Sequence, residues 1–107
     1  MDLIFKALAD PSRRELLDRL HWKNGQTLKE LCHEAGMTRQ AVTKHLTILR
    51  RAELVIPLWR GREKLHYLNP VPLYKISERW ITKYEGARLR ALVDLQKALE
   101  ENRPRTL

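Results

Sequence analysis

Mainly α with one small β-hairpin is the fold class that this sequence predicts, and three observations carry it. Residues 27–49, TLKELCHEAGMTRQAVTKHLTIL, divide into two short helical patterns about an Ala35-Gly36-Met37 turn. Residues 54–68 combine β-branched, aromatic and charged side chains around a central Gly61, a hairpin pattern. Residues 73–101 keep apolar side chains at three-to-four spacing throughout, the mark of a long helix. The predicted order is α-α-α-α-β-β-α in a single domain over residues 1–107, a length that buries one core and not two.

From the N-terminus, residues 2–9 read as a short helix with Leu3, Ile4, Ala7 and Leu8 apolar. Asp10-Pro11 marks a boundary, because Asp caps a helix and Pro suits its first position, where an N–H would be unpaired anyway. The second helix runs over 11–22, with Leu16, Leu17 and Leu20 inward and Arg13, Arg14, Asp18 and Arg19 outward; residues 1–22 thus form an N-terminal helical pair. Asn24-Gly25 is a turn signal. Thr27 and Glu30 have the spacing of a capping box, and Leu28, Leu31 and Ala35 make one apolar face. Gly36 ends that helix and Thr38 caps the next, in which Val42, Leu46 and Leu49 form the buried stripe. Arg39, Gln40, Thr43, Lys44 and Thr47 are left outward. Two helices about a tight turn, the second polar and basic outside, make residues 27–52 a helix-turn-helix whose second helix enters the DNA major groove.

Pro57 in the first strand of the hairpin, residues 54–68, cannot donate to a ladder and must face an edge or a bulge. The alternation of Leu65 and Tyr67 against Lys64 and His66 supports the hairpin. A hairpin directly after a helix-turn-helix is the wing of a winged-helix domain. Its tip carries Arg60, Arg62 and Lys64 against Glu63 alone, which suits a minor groove or a phosphate backbone. Asn69-Pro70-Val71-Pro72 stops the strand. The last helix, 73–101, presents Leu73, Ile76, Trp80, Tyr84, Ala87, Ala91, Leu95 and Ala98, with a second line through Ile81, Leu89, Leu92 and Leu99. At 1.5 Å per residue it extends roughly 43 Å, more than so small a domain covers, and a second copy of the chain is the simplest cover. The tail from Asn102 to Leu107 is expected to fray.

Lys plus Arg number 21 against 13 Asp plus Glu, a formal net charge of +8, which favours nucleic acid first and an anionic membrane second as partner. No apolar run approaches the ~20 residues of a membrane span, and MDLIFKALAD has no signal-peptide pattern. Cys32, the only cysteine, excludes an intrachain disulfide and fits a cytoplasmic location. Beside the Leu28/Leu31 stripe it reads as a small buried hydrophobe ahead of a redox switch. His21, His33, His45 and His66 are scattered over four elements, so no metal is expected, nor any cofactor. A Gly-rich phosphate loop and a nucleophile with plausible partners are both missing, so the chain does not read as an enzyme. Arg13, Arg14, Arg50 and Arg51 stay open between phosphate clamps and solvated charges.

The order of elements and three stretches resemble the ArsR/SmtB family of winged-helix transcriptional repressors. Phe5 to Arg13, FKALADPSR, is close to that family's opening "ALADPTRR". TRQAVTKHLTIL, from Thr38 to Leu49, is similar to its "S-x-x-x-V-S-x-H-L-x-x-L". The third stretch is Ala52-Glu53-Leu54-Val55 followed by the Arg60-Gly61-Arg62 wing. The resemblance implies a homodimer built from the first and last helices, with two recognition helices on a pseudo-palindromic double-stranded operator. It places Thr38, Gln40, Thr43 and His45 at DNA-facing positions, and Arg39 and Lys44 join them by local chemistry. The candidate DNA set is thus Thr38, Arg39, Gln40, Thr43, Lys44, His45, Arg60, Arg62 and Lys64. The candidate dimer set is Leu3, Ile4, Trp80, Tyr84, Ala87, Ala91 and Leu95; Trp80 and Tyr84 read as dimer-core aromatics ahead of an effector cage.

The sequence departs from the family's metal sensors. Where those place a Cys-x-Cys pair before the turn, this chain has Thr27 and Lys29, and His66 is its last histidine. The expected function is a sequence-specific DNA-binding repressor of ArsR type without a metal site. A winged-helix protein-docking module is the competing class.

Overall fold

The computed structural model describes residues 1–84 and 86–102. In the first half, side chains mark the helix boundaries by pairing the backbone groups that helix ends leave open. Helix α1, Asp2–Leu8, is followed by α2, Pro11–Trp22, whose N-cap Asp10 accepts from the Ser12 and Arg13 N–H groups. Helix α3, Leu28–Ala35, starts in a full capping box: Thr27 Oγ1 accepts from Glu30 N–H, and the Glu30 carboxylate accepts from Thr27 N–H. The Lys23 ammonium at 3.0 Å, with the Thr27 bonds, holds the Glu30 carboxyl below its ordinary value. Gly36, at φ 63, closes α3 in the left-handed conformation. Helix α4, Arg39–Arg51, is capped by Thr38, whose hydroxyl accepts from Ala41 N–H at 3.1 Å. Its far end closes as a Schellman motif, with Leu54 N–H to Leu49 O and Glu53 N–H to Arg50 O, and Glu53 takes φ 61.

The chain forms two compact units, Met1–Tyr74 and Lys75–Leu107. In the first, Leu16, Leu20, Leu31, Val42, Leu49, Leu54 and Val55 are fully buried. At about 1.5–3 kcal/mol for each large apolar side chain removed from water, this cluster fixes how α2, α3 and α4 pack.

Strand β1, Val55–Arg60, pairs antiparallel with β2, Glu63–Leu68, from Val55 opposite Leu68 to Arg60 opposite Glu63. Gly61 takes φ 63 at the first turn position, the place a type II′ hairpin gives to glycine. On its other edge β2 meets Gln26, which exchanges backbone hydrogen bonds with His66 at 2.8 and 3.2 Å. Both His66 backbone groups therefore face away from β1. Pro57, opposite His66, occupies a non-hydrogen-bonded pair where a missing N–H costs nothing. The alternation predicted for β2 is only half present: Leu65 and His66 are both buried, and Tyr67 is half-buried against Gly25. Both faces of β2 are covered, which a two-residue periodicity cannot register.

Over the stretch read as one helix, 73–101, the described residues are helical as α5, Val71–Tyr84, and α6, Gly86–Glu101; Glu85 and residues 103–107, where fraying was expected, lie outside the described residues. No residue of α6 is buried.

Candidate nucleic-acid interface

Because α4 buries Val42, Leu46 and Leu49, the opposite side of the helix points away from the core. Arg39, Gln40, Thr43, Lys44 and Thr47 are all exposed there, beginning at the capped N-terminus. The Thr47 hydroxyl donates back to the Thr43 carbonyl at 2.9 Å and keeps its lone pairs outward.

The wing closes one side of this row. A groove of about 410 Å³ runs between α3, α4 and the hairpin, with Leu28, Leu46, Val55, Pro57 and Trp59 among its apolar lining. Lys29, Arg39, Arg50, Arg62 and Lys64 bring positive charge to it, against Glu63. Lys64 lies 5.9 Å from the Trp59 ring centroid, a cation–π spacing that holds the ammonium at the rim. Of the residues expected to meet DNA, Arg39, Thr43, Arg62 and Lys64 share this groove. Thr38, Gln40, Lys44 and Arg60 are exposed outside it.

His45 stands apart from them. It follows Val42 by three positions, so its ring turns to the inner edge of α4, half-buried, with Nδ1 3.3 Å from Arg13 Nη1. Arg13 is not a solvated charge: its side chain is 11% exposed and donates to the Ala7 and Lys6 carbonyls at 2.8 and 3.0 Å. Arg14 donates to the Leu8 carbonyl at 2.6 Å. Both arginines thus occupy the carbonyl end of α1. Burial alone would raise the Asp10 carboxyl, but the Ser12 and Arg13 N–H bonds and the Arg13 charge hold it below its ordinary value.

His66 lies 7% exposed on the groove wall. Its Nδ1 is 2.9 Å from the Gln26 carbonyl, which can only accept, so Nδ1 carries the proton. Burial is the main cause of its lowered pKa, the Gln26 bond opposing and the Lys64 charge assisting.

Trp59 and Gln26 escaped the sequence reading. Strand periodicity gave a signal for Trp59, since Val55, Pro57 and Trp59 share one face of β1; a lone Gln26 gave none. Gln26 is 4% exposed, and its amide caps α2 by donating to the Arg19 and Lys23 carbonyls. Cys32 is half-buried against the core. Among the described residues no three His, Cys, Asp or Glu side chains gather to hold a metal, and no helix is long and apolar enough to cross a membrane. Of the residues expected at a dimer seam, Leu3, Trp80, Ala87, Ala91 and Leu95 are exposed, while Ile4 packs partly on its own core. The side chain of Tyr84 lies outside what is described.

Comparison with known proteins agrees with this geometry. A family described as a helix-turn-helix domain matches residues 8–56. The chain is 40% identical over 86 residues to the uncharacterized HTH-type transcriptional regulator YuzN of Bacillus subtilis, covering 75% of this chain and 94% of that protein. It is 31% identical over 85 residues to the transcriptional repressor SdpR of the same organism, covering 78% and 91%. Among solved structures, an ArsR-like transcriptional regulator from Rhodococcus sp. RHA1 superposes with a TM-score of 0.72 at 27% identity, over 95% of this chain and 92% of that one.

Proposed function

The chain belongs to the ArsR/SmtB family of winged helix-turn-helix transcriptional regulators, and from that premise we propose that it acts as a homodimeric repressor on a pseudo-palindromic operator. As a DNA-binding regulator it is not an enzyme. The observation that carries the proposal is the groove that Arg39, Thr43 and Thr47 of α4 share with Arg62 and Lys64 of the wing. Arg39, Gln40 and Thr43 reach base edges, Arg39 suiting guanine and Gln40 adenine through paired hydrogen bonds. Lys44, Arg60, Arg62 and Lys64 neutralise phosphates and set the register, with Lys29 and Arg50 reinforcing them. Repression is the activity that SdpR's name gives that relative, and a promoter covered by a bound dimer produces it directly. The protein meets its operator in the cytoplasm.

Release from the operator without a thiolate-held metal at α3 is part of this reading. Thr27 is committed to the capping box, and neither it nor Lys29 supplies a thiolate.

A binding titration on the DNA upstream of its own gene, repeated over a range of salt, tests the reading. Each phosphate neutralised steepens the decline of log affinity with log salt by about 0.9, so several contacts give a slope of several units. A slope near zero removes DNA as the partner of this face. A reporter on that DNA is expected to rise when the gene is deleted; a fall makes the protein an activator.

A further inference from the structure

We propose that Arg13 is a positioning residue for DNA reading, setting the recognition helix through His45 while touching no DNA itself. The inference rests on α4 being the reading helix. A cation next to the helix-turn-helix would ordinarily be assigned to a phosphate, but the geometry of Arg13 points inward. From the first turn of α2 its guanidinium spends Nε on the Ala7 carbonyl at 2.8 Å and Nη2 on the Lys6 carbonyl at 3.0 Å. Nη1 then lies 3.3 Å from His45 Nδ1 and 3.8 Å from the Asp10 carboxylate. One planar fork thus joins the end of α1, the start of α2 and the middle of α4.

The donor and acceptor roles are settled by chemistry. Arginine has five N–H donors, no acceptor, and keeps its proton at any ordinary pH. In this contact His45 Nδ1 is therefore the acceptor.

The His45 side chain hydrogen-bonds α4 to another helix, so the contact resists rotation of α4 about its own axis. The packing of Val42, Leu46 and Leu49 is apolar and tolerates small rotations, whereas a hydrogen bond weakens steeply as its angle closes. Base reading needs side chains placed to about 0.5 Å and 10–20°, so a small turn of α4 spoils recognition while leaving the charges on its surface in place. Arg13 should therefore matter for specific DNA and not for DNA in general.

The test measures operator affinity, affinity for unrelated DNA, and the salt slope of each, on the intact protein. Variants are Arg13→Gln, His45→Ala, the double variant, and His45→Asn, whose carboxamide oxygen can take the place of Nδ1. Thermal melts fix a temperature at which every variant is folded. Arg13→Gln and His45→Ala are each expected to lower operator affinity about tenfold, the scale of one lost charge-assisted hydrogen bond, with unrelated DNA and the salt slopes unchanged. The double variant should lose little more than either single one, and His45→Asn should recover most of the loss. A salt slope lower by about one unit in Arg13→Gln, with both DNAs weakened alike, makes Arg13 a phosphate contact and overturns the proposal. Additive losses in the double variant overturn it too. Gln40→Ala and Arg39→Gln separate the two readings: if they spare operator recognition, α4 is not the reading helix and the positioning role falls with it. If they impair recognition while the Arg13 and His45 variants do not, the positioning role alone fails.

Discussion

Gly25 holds φ +77, and a Cβ there would lie 2.9 Å from the Tyr67 ring. Two penalties therefore fall on Gly25→Ala: a left-handed backbone costs a residue with Cβ about 1–2 kcal/mol, and the ring must also shift. A thermal melt should show a loss of about 2 kcal/mol or more; an unchanged midpoint would mean that the turn relaxes freely. Glu53 has the opposite problem. It sits at φ 61 in the Schellman position that glycine fills best, so Glu53→Gly should stabilise the protein by about 0.5–1 kcal/mol in urea unfolding. His66 gives the fold a pH dependence of known sign. Its folded pKa is depressed below the ordinary 6.5, so the unfolded chain binds the extra proton first. The His66 contribution is complete above 6.5 and is lost as pH falls from there through the folded value. Urea midpoints should drop between pH 7.5 and 5.5, and His66→Asn, which still donates to Gln26, should flatten that drop.

At the scale of the element, α4 was legible because its cap, stripe and outer row all follow one periodicity. The same spacing misassigned neither Val42 nor Leu49, but it left His45 ambiguous, three residues from one and four from the other. The family's motif suggested a DNA contact for His45; only the neighbouring Arg13 reveals where the ring goes. The Thr38 cap was readable for the same local reason. Thr38→Ala removes the partner of Ala41 N–H at the very turn that carries Arg39 and Gln40, and should cost about 1 kcal/mol of stability. Operator affinity should fall with it, a result absent if that turn does not meet DNA. The wing was legible in outline, from Gly61 and its flanking charges. Its third partner, Gln26, was not, because a single backbone bridge leaves no periodic trace.

For the whole molecule, the open question posed by the chain is what covers its second unit. Leu92, Val93, Leu95 and Leu99 are 55–64% exposed, an apolar surface that a lone chain leaves to water. The proposed dimer makes a definite prediction: sedimentation equilibrium should give twice the chain mass, and Leu95→Glu should halve it. Operator affinity should then fall by about a hundredfold or more as the second half-site is lost, since paired sites gain that much from being linked. A monomeric wild-type chain would end the dimer proposal.

The sequence by itself determined the elements of the first unit, their caps, the outward row of α4 and the charge of the wing, because each depends on neighbours within a few residues along the chain. Tertiary structure decided what depends on residues distant in sequence. It turned His45 inward to Arg13, set His66 against Gln26, made Pro57 harmless by pointing His66's backbone elsewhere, and gathered Lys29, Arg50 and Trp59 to the recognition row. Periodicity along a chain specifies which way a side chain faces. What it faces is fixed only when the helices and the hairpin pack.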